Sequence, residues 1–288
     1  MRPVVTNALL ISLLVALVPG CSNKETPTEP RRYIAPSKPE KRTPLESKAL
    51  DGVLKGKVVY DGDPPPAEFI SGINDHGDKV GCLKGEPLEL HKQTWVVNKD
   101  TKAVANIVVW LEPPPGKYFS LSAKDKDRTG EQVVLDQPHC AFVPHVLTMF
   151  PSYFDGAQQV KTGQKLVIKN SAPFLHTAQW NLTRENEGYN GANIPPNGGK
   201  QEFVLNPQKT CLTIGCGIHN WMHGVLWIFE HPYHAVSDAN GHFQIKNVPT
   251  DVELTFKAWH ETRINPFEER KMTFKSGDNP GVELKIKK

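Results

Sequence analysis

Short apolar runs that end at turn-forming residues most constrain what this chain can fold into. Two examples are "GVLKGKVVYDGDPPP", which begins at Gly52, and "VANIVVWLEPPPG", which begins at Val104. Both runs are rich in β-branched or aromatic residues and stop at prolines, of which the 288 residues contain 25. Long stretches with helical periodicity are hard to find. The pattern is typical of an all-β protein, and we predict that fold class.

Strict alternation of apolar and polar residues supports the same prediction near the C-terminus. The run "HFQIKNV" alternates from His242, and the residues 238–241 before it have the composition of a hairpin turn. The next run, "VELTFKAW", puts two sets of side chains on opposite faces of a strand. These sets are Val252, Leu254, Phe256 and Ala258 on one face, and Glu253, Thr255, Lys257 and Trp259 on the other.

The N-terminal residues 1–21 have the features of a secretory signal peptide. Arg2 supplies positive charge, and "ALLISLLVALV" suits a signal-peptide apolar region but is short for a membrane span. The following "LVPGC" resembles a bacterial lipobox, which implies lipidation of Cys21; a plain signal peptide with an incidental cysteine is the alternative. Residues 22–50 are proline-rich and charged, so we predict a disordered linker. We therefore expect an exported bacterial lipoprotein, periplasmic or at the cell surface, with a lipid anchor in the membrane.

Turn and core residues at both ends of the folded part resemble a known β-sandwich. The segments "LKGKVVYDG", "AVANIVVWL" and "VSDANGHFQIKNVPTDVELTFKAWH" are similar to the carboxypeptidase regulatory-like domain, a small Ig-like or prealbumin-like sandwich. They lie within residues 51–128 and 233–288. The resemblance implies that residues 129–232 form a second β unit, inserted into the first or packed on it.

The stretch "TIGCGIHNWMHG", residues 213–224, concentrates side chains that bind metals. By strand parity, Leu212, Ile214 and Cys216 share one face, so Cys216 points toward the end of an apolar core. Two residues separate Cys216 from His219, and two more separate His219 from Met222. A tight turn with this spacing can aim all three side chains at one point.

His176 supplies a fourth candidate ligand from a separate loop, after the strand "KLVIKN". A cysteine and two histidines in a plane, with a long axial methionine, form the blue-copper arrangement. The soft sulfur atoms suit Cu(I), and the imidazoles suit both oxidation states of copper. A rigid β scaffold limits rearrangement when the electron is transferred.

The two segments "KNSAPFLH" and "CGIHNWM" together resemble a cupredoxin, and the short Cys-His-Met loop is most similar to that of amicyanin. The resemblance implies one type 1 copper ion, a role in one-electron transfer, and a cupredoxin-like Greek-key sandwich over residues 129–232. The implied ligands are His176, Cys216, His219 and Met222. The whole chain is also similar to exported bacterial proteins described as cupredoxin-like or methylamine-utilisation-like.

Three residues around the implied ligands depart from the cupredoxin pattern. Thr177 stands where an asparagine usually ties the two ligand loops together, and Gly217 stands where Ser or Thr is common. Asn220 replaces the proline of amicyanin-like loops. Asn170, together with Thr177 and Gly217, is expected to support the ligands without binding the metal. Because hydrogen bonds to ligands tune a metal site, these departures bear on the redox potential more than on ligand identity.

The remaining cysteines suggest a disulfide. If Cys21 carries lipid and Cys216 binds metal, then Cys82, Cys140 and Cys211 remain, and two of these three would pair in an oxidising compartment. We favour Cys82 with Cys140, because Cys211 lies on the same short strand as Cys216. The other pairings stay open at this point.

Other interpretations of the metal motif also stay open. Zinc could be bound by Cys216, His219, His223 and His176, although "HNWMH" lies between strands and lacks the glutamate of a metalloprotease motif. A metal-free domain is a further alternative. We expect His145 to be a hydrogen-bonded core residue. His223 is either a solvated turn residue or a point where electrons enter. Trp221 is either part of an apolar docking surface through which electrons enter, or a residue that shields the metal.

The functional hypotheses come from three classes. The first is an electron carrier with a redox protein as partner near the copper loop. The second is a surface lipoprotein without redox activity, either copper-storing or an Ig-like, carbohydrate-binding unit. An enzyme ranks last, because no His-x-His pair is present to build a second copper centre. With 34 Lys and Arg against 31 Asp and Glu, the composition does not point to nucleic acid as a partner.

Overall fold

β-Strands make up most of the regular structure in the computed structural model, which describes residues 41–288. The prediction of an all-β fold is therefore confirmed. The predicted signal peptide, the lipidation site Cys21 and linker residues 22–40 lie outside the described residues. The described part also has two four-residue helices, α1 (Lys79–Cys82) and α2 (Ala123–Lys126), and a 3-10 turn at Ser71–Ile73. Across residues 41–288, no helix has the length and apolar character that crossing a bilayer requires.

The strands follow one another along the chain, with one long connection over residues 61–107 that contains the 3-10 turn and α1. In order they are β1 (Thr43–Leu45), β2 (Leu50–Tyr60), β3 (Val108–Glu112), β4 (Lys117–Phe119), β5 (Gln132–Asp136), β6 (Val146–Met149), β7 (Ser152–Phe154), β8 (Gln159–Lys161), β9 (Lys165–Asn170), β10 (His176–Trp180), β11 (Tyr189–Ile194), β12 (Gly199–Phe203), β13 (Leu212–Gly215), β14 (His223–Ile228), β15 (His234–Val236), β16 (His242–Pro249), β17 (Glu253–Trp259), β18 (Glu268–Thr273), β19 (Gly277–Asp278) and β20 (Val282–Ile286).

A first sandwich is built from strands at both ends of the described chain. One sheet has the order β15-β3-β17-β18, and the other has β2 between β16 on one side and β19 and β20 on the other. Alternate residues of each strand face inward, as period-2 patterning requires. We call the resulting apolar cluster the first core; its strand residues include Leu54, Val58, Val109, Leu111, Phe243, Ile245, Leu254, Phe256, Leu284 and Ile286. The likeness of this sandwich to an Ig-like domain stays a prediction.

A second sandwich comes from the middle of the chain. Its sheets have the orders β11-β10-β13-β14-β6 and β12-β9-β5. We call its interior the second core; it includes Leu135, Leu147, Met149, Leu166, Ile168, Ala178, Leu212, Ile214, Cys216, Met222, Leu226 and Ile228. Ile73 and Cys82 are also buried in the second core, although we expected all of residues 51–128 to belong to the first sandwich.

The two sandwiches meet through large aromatic side chains. On β14, Leu226 and Ile228 face the second core, whereas Val225 and Trp227 face the first sandwich. We call this contact the aromatic interface, and its ring centroids lie 4.9 Å apart for Trp110 and Trp227. The interface explains why β14 is apolar on both faces. Its buried members are Val108, Trp110, Val146, Val225, Trp227, Phe229 and Trp259.

The structure differs in detail from two predictions about chain segments. Residues 22–50 were expected to be linker, but Thr43–Leu45 forms β1, pairs in parallel with β4, and buries Leu45 in the first core. The turn at residues 238–241 forms, with Gly241 N donating to Asp238 O at 2.8 Å. It is not a simple hairpin turn, because β15 pairs with β3 whereas β16 pairs with β2. The turn therefore carries the chain from one sheet of the first sandwich to the other.

Candidate metal centre

The loop between β13 and β14 holds three of the predicted ligands close together. β13 and β14 are antiparallel, and Gly215 pairs with His223 at the end of the ladder. Within the loop, Met222 N donates to His219 O at 2.9 Å, and Cys216 N donates to Met222 O at 3.3 Å. These backbone bonds fold the loop back on itself, so Cys216, His219 and Met222 are held by local structure.

The fourth predicted ligand, His176, is brought to this loop by sheet pairing. His176 is the first residue of β10, and β10 pairs with β13 through Gln179 and Gly215. The Nδ1 atoms of His176 and His219 each lie 3.8 Å from Cys216 Sγ. The two imidazole centroids are 4.7 Å apart. The structure thus brings the two histidines and the cysteine of the predicted set into one cluster.

These distances suit a metal ion between the three donors. A nitrogen about 2.0 Å and a sulfur about 2.3 Å from one ion lie about 3.7 Å apart at a trigonal angle and about 3.5 Å apart at a tetrahedral angle. The observed 3.8 Å is nearer to the trigonal value. His176 and His219 are 0% exposed, and Cys216 and Met222 are 3% exposed. The donors are therefore shielded from water, and the thioether of Met222 is buried in the same core.

The Nε2 atom of each imidazole, which points away from Cys216, lies near an oxygen atom. For His176 this contact determines which ring nitrogen is free to bind a metal. His176 Nε2 donates to His139 O at 2.6 Å, so its Nδ1 carries the lone pair that faces Cys216. His219 Nε2 lies 3.2 Å from Asp78 Oδ2 but makes no hydrogen bond in residues 41–288, so Asp78 acts on this ring as a nearby negative charge. Oxygen partners at the outer nitrogen are the usual support of a metal-binding histidine.

The protonation states of the donors also favour metal binding. Burial lowers the pKa of His176 to about 4, against the opposing effects of the His139 carbonyl and Asp78. Burial by itself would raise the pKa of Cys216, but hydrogen bonds from His219, Thr177 and Ile218 outweigh it and lower that pKa to about 7. Near neutral pH the imidazole of His176 is neutral, and a large fraction of Cys216 is thiolate. These are the forms that coordinate a metal.

Thr177 connects the two ligand loops directly. Its Oγ1 accepts from Gly217 N at 2.7 Å and lies 3.7 Å from Cys216 Sγ as a donor. Gly217 has little room for a side chain, because an added Cβ would lie 3.3 Å from both Thr177 Oγ1 and Gln179 Oε1. Asn170 holds the other loop, since its Nδ2 donates to Phe174 O and Ile194 O at 2.9 and 2.8 Å.

A covering segment over His219 was not predicted from the sequence. The ring of His76 contacts that of His219 at a tilt of 45°, with centroids 4.4 Å apart, and Asp78 belongs to the same segment. The structure joins Cys82, a few residues further on, to Cys140 in a disulfide with Cα atoms 4.9 Å apart. Trp221 is partly exposed, and its Nε1 donates to Cys140 O at 3.1 Å. The signal in the sequence is the preferred disulfide, which would have placed the neighbouring Asp78 near the second core.

The structure separates His223 from the other candidate ligands. It is 43% exposed in its side chain and faces Glu261 and His145 instead of Cys216. The set of four proposed for zinc is therefore not brought together. His145 is 4% exposed, with Nδ1 3.1 Å from His223 O and Nε2 2.8 Å from Glu261 Oε2. It is a hydrogen-bonded core residue, as expected.

Comparisons with known proteins give similarity to solved structures over part of the chain. No protein family model matches the chain, and no curated protein matches it. A Cu-containing nitrite reductase from Thermus scotoductus SA-01 is 16% identical over 34% of this chain and 22% of that chain, with a TM-score of 0.28. This chain thus spans less than a quarter of the nitrite reductase chain.

Two smaller proteins are covered almost completely. The reduced state of an amicyanin mutant is 11% identical over 41% of this chain and 98% of that chain, with a TM-score of 0.26. A purple cupredoxin from Nitrosopumilus maritimus is 14% identical over 34% of this chain and 98% of that chain, with a TM-score of 0.24.

Proposed function

We propose that the protein binds one type 1 copper ion through His176, Cys216, His219 and Met222 and transfers single electrons. The observation that carries the proposal is the pair of 3.8 Å distances from the buried Cys216 Sγ to the Nδ1 atoms of two buried histidines. Both distances suit a trigonal plane of two imidazoles and one thiolate, which is the in-plane donor set of blue copper.

Copper in such a site supplies reversible one-electron exchange between Cu(I) and Cu(II). The residues of the chain hold the donors in one geometry. Thr177 links the β10 end to the Cys216 loop, and the His139 carbonyl orients His176. Because these donors are buried and held by hydrogen bonds, they would need to move little if a bound copper ion changed its charge.

A redox protein is the proposed partner, and it docks beside the copper loop. His76 and Trp221 are partly exposed and contact His219, with ring centroids 4.4 and 5.4 Å away. The rings of these two residues therefore lie between the surface of the protein and the ligand His219. The near-neutral formal charge of +3 does not suggest nucleic acid as a second partner.

Export to an oxidising compartment is part of the proposal. The Cys82–Cys140 disulfide lies beside the copper site, and such bonds persist outside the reducing cytosol. An exported protein with lipid on Cys21 would carry its redox site near a membrane surface.

The test is a visible spectrum of the full chain after addition of Cu(II). We expect an intense thiolate-to-copper band that is lost in Cys216→Ala. Cys211→Ala is the matched control, because Cys211 is the other free thiol in the described part and lies outside the metal cluster. This variant should keep the band.

Two outcomes would overturn electron transfer. If the protein binds no copper, the four residues do not form a copper site. A protein that binds copper but remains colourless Cu(I) in the presence of oxidant would instead indicate copper storage.

A further inference from the structure

A second cluster of metal-binding side chains lies beside the aromatic interface. His145 precedes β6, His223 begins β14, and Glu261 follows β17. Their ligand atoms all lie within 4.8 Å of one another. Three separate parts of the chain therefore converge here, and the glutamate comes from the first sandwich while the histidines come from the second.

Both histidines present the same nitrogen to the glutamate. The Nδ1 of His145 lies 3.1 Å from His223 O, and the Nδ1 of His223 lies 3.4 Å from Trp221 O. A carbonyl oxygen can only accept, so in the neutral ring each Nδ1 is the protonated nitrogen. The Nε2 of His223 then carries a lone pair, whereas the Nε2 of His145 is within hydrogen-bond distance of Glu261 Oε2, which also can only accept. These Nε2 atoms lie 2.8 and 3.8 Å from Glu261 Oε2.

In the metal-free chain a proton on His145 Nε2 joins it to the carboxylate, and a bound metal ion would take the place of that proton. Electrostatics requires either a proton or a metal ion at this point. The glutamate side chain is only 10% exposed, and its Oε1 is buried without a hydrogen-bond partner in residues 41–288. The two histidines contact only Glu261 Oε2, so the buried Oε1 remains available as a further oxygen ligand.

The glutamate is ionised despite its burial. Burial acts to raise the pKa of Glu261, but the neighbouring His145, Thr94 and His223 together hold that pKa below its ordinary value. An ionised carboxylate can supply a charged oxygen ligand near neutral pH.

We propose that His145, His223 and Glu261 form a second metal site, which binds a divalent first-row transition metal ion such as Zn²⁺. Two imidazole nitrogens and one carboxylate oxygen are a donor set that such ions accept, with positions left open for water or substrate. A cavity of about 280 Å³ reaches His145, His223 and Thr94 and gives an ion a path to the site. The site shares no ligand with the proposed copper centre.

The experiment titrates Zn²⁺ into the full chain carrying Cys216→Ser, followed by calorimetry. Removing the thiolate separates this test from the copper proposal, so either proposal can fail alone. We expect one Zn²⁺ equivalent that is lost, or weakened at least tenfold, in His223→Ala and in Glu261→Gln. Loss of an outer-shell partner alone costs about 10–100-fold in affinity, and loss of a ligand should cost no less.

His242→Ala is the matched control. His242 is exposed on β16 of the first sandwich, outside the clusters that could hold a metal. Its substitution should leave Zn²⁺ binding unchanged. The side chain of His223 is 43% exposed, and Glu261→Gln keeps the shape of the side chain, so both test variants should fold; circular dichroism checks this.

A Co²⁺ spectrum provides a second measurement. Co²⁺ bound by two imidazoles and a carboxylate should give ligand-field bands that disappear in Glu261→Gln. The proposal is overturned if the chain binds no Zn²⁺, or if binding is the same in His223→Ala and Glu261→Gln as in their parent. Either result would mean that a proton, and not a metal ion, joins His145 to Glu261.

Discussion

The two cores of the molecule differ in what occupies their ends. In the first core, the buried cluster consists of aliphatic and aromatic side chains throughout. In the second core, Cys216, Met222 and the Cys82–Cys140 pair take part in the same kind of cluster, and His176 and His219 are buried beside it. The same sandwich packing can therefore be purely structural or can hold a donor set, depending on a few residues at one end of the sheets.

The difference arises where the strands begin and end, because His176 is the first residue of β10 and Cys216 directly follows β13. Both cores use alternating inward residues, for example Ile245 on β16 and Ile214 on β13. The loop after β13 folds back through Met222 and places donors at the open end of the sandwich. The paired sheets thus hold the loop after β13 in place, and that loop carries three of the four proposed metal ligands.

The largest expected effect comes from matched truncations in the two cores. Ile245→Ala and Ile214→Ala each remove a buried isoleucine that is 1% and 0% exposed, and each should lower the free energy of unfolding by about 2–5 kcal/mol. Only Ile214→Ala should also change the copper spectrum, because Ile214 shares the inward face of its strand with Cys216. Equal spectra in both variants would contradict this division, and denaturant titration measures the stability.

Low pH should weaken the first sandwich through His231. This residue packs on Phe119 and Tyr233, and burial lowers its pKa from 6.5 to about 4. The unfolded chain takes up a proton before the folded chain does, so stability present above pH 6.5 is lost as the pH falls toward 4. The loss attributable to His231 is roughly 3 kcal/mol.

The measurement is the free energy of unfolding at several pH values for the parent and His231→Gln. The variant should show a smaller slope in this range. His242→Gln, on an exposed histidine, should keep the slope of the parent. If His231→Gln has the parental slope as well, burial does not keep His231 neutral.

A smaller effect is expected at the link between the ligand loops. Thr177→Val leaves Gly217 N without its acceptor and removes the donor that faces Cys216, at a cost of about 1–3 kcal/mol. It should also shift the thiolate-to-copper band. Thr177→Ser retains the hydroxyl and should keep the band of the parent. A band that is the same in Thr177→Val would show that the hydroxyl does not act on the sulfur.

The smallest stability effect is expected at an exposed ion pair of the first sandwich. Asp278 lies 2.7 Å from Lys55, with side chains 67% and 50% exposed, so Asp278→Asn should change stability by less than about 1 kcal/mol.

Asp78→Asn removes a negative charge 3.2 Å from the buried His219. It should raise the reduction potential of the copper site in a redox titration, because negative charge favours Cu(II). Asp278→Asn should leave that potential unchanged.

Much of the fold could be predicted from local patterns. The alternation over residues 252–259 placed Leu254, Phe256 and Ala258 on the face that lies in the first core. What could not be predicted is which apolar face meets which partner, as on β14, where one face joins the second core and the other joins the aromatic interface. The isolated Leu45 gave no pattern for β1, since its burial depends on a partner far along the chain.

The candidate site divides in the same way. Cys216, His219 and Met222 are close in sequence, so spacing alone predicted that they would converge. His176 was proposed from its place on a separate loop after a predicted strand, and the resemblance of its segment to cupredoxins supported that choice. Asp78 and Glu261 were missed. The predicted Cys82–Cys140 disulfide was an indirect signal for the nearby Asp78, whereas no pattern in the sequence joins Glu261 to His145, 116 residues away.

The pairing of β2 fixes the order in which the protein can be completed during synthesis. Apart from an isolated bridge at Val59, its ladder partners in residues 41–288 are β16, β19 and β20, all beyond residue 241. Every strand of the second sandwich lies before residue 229. As the chain emerges from its N-terminus, the half with the proposed copper loop has all its strands while β2 still waits for long-range partners, whose pairing is intrinsically slow. β2 is therefore synthesised early but is among the last strands to complete its pairing.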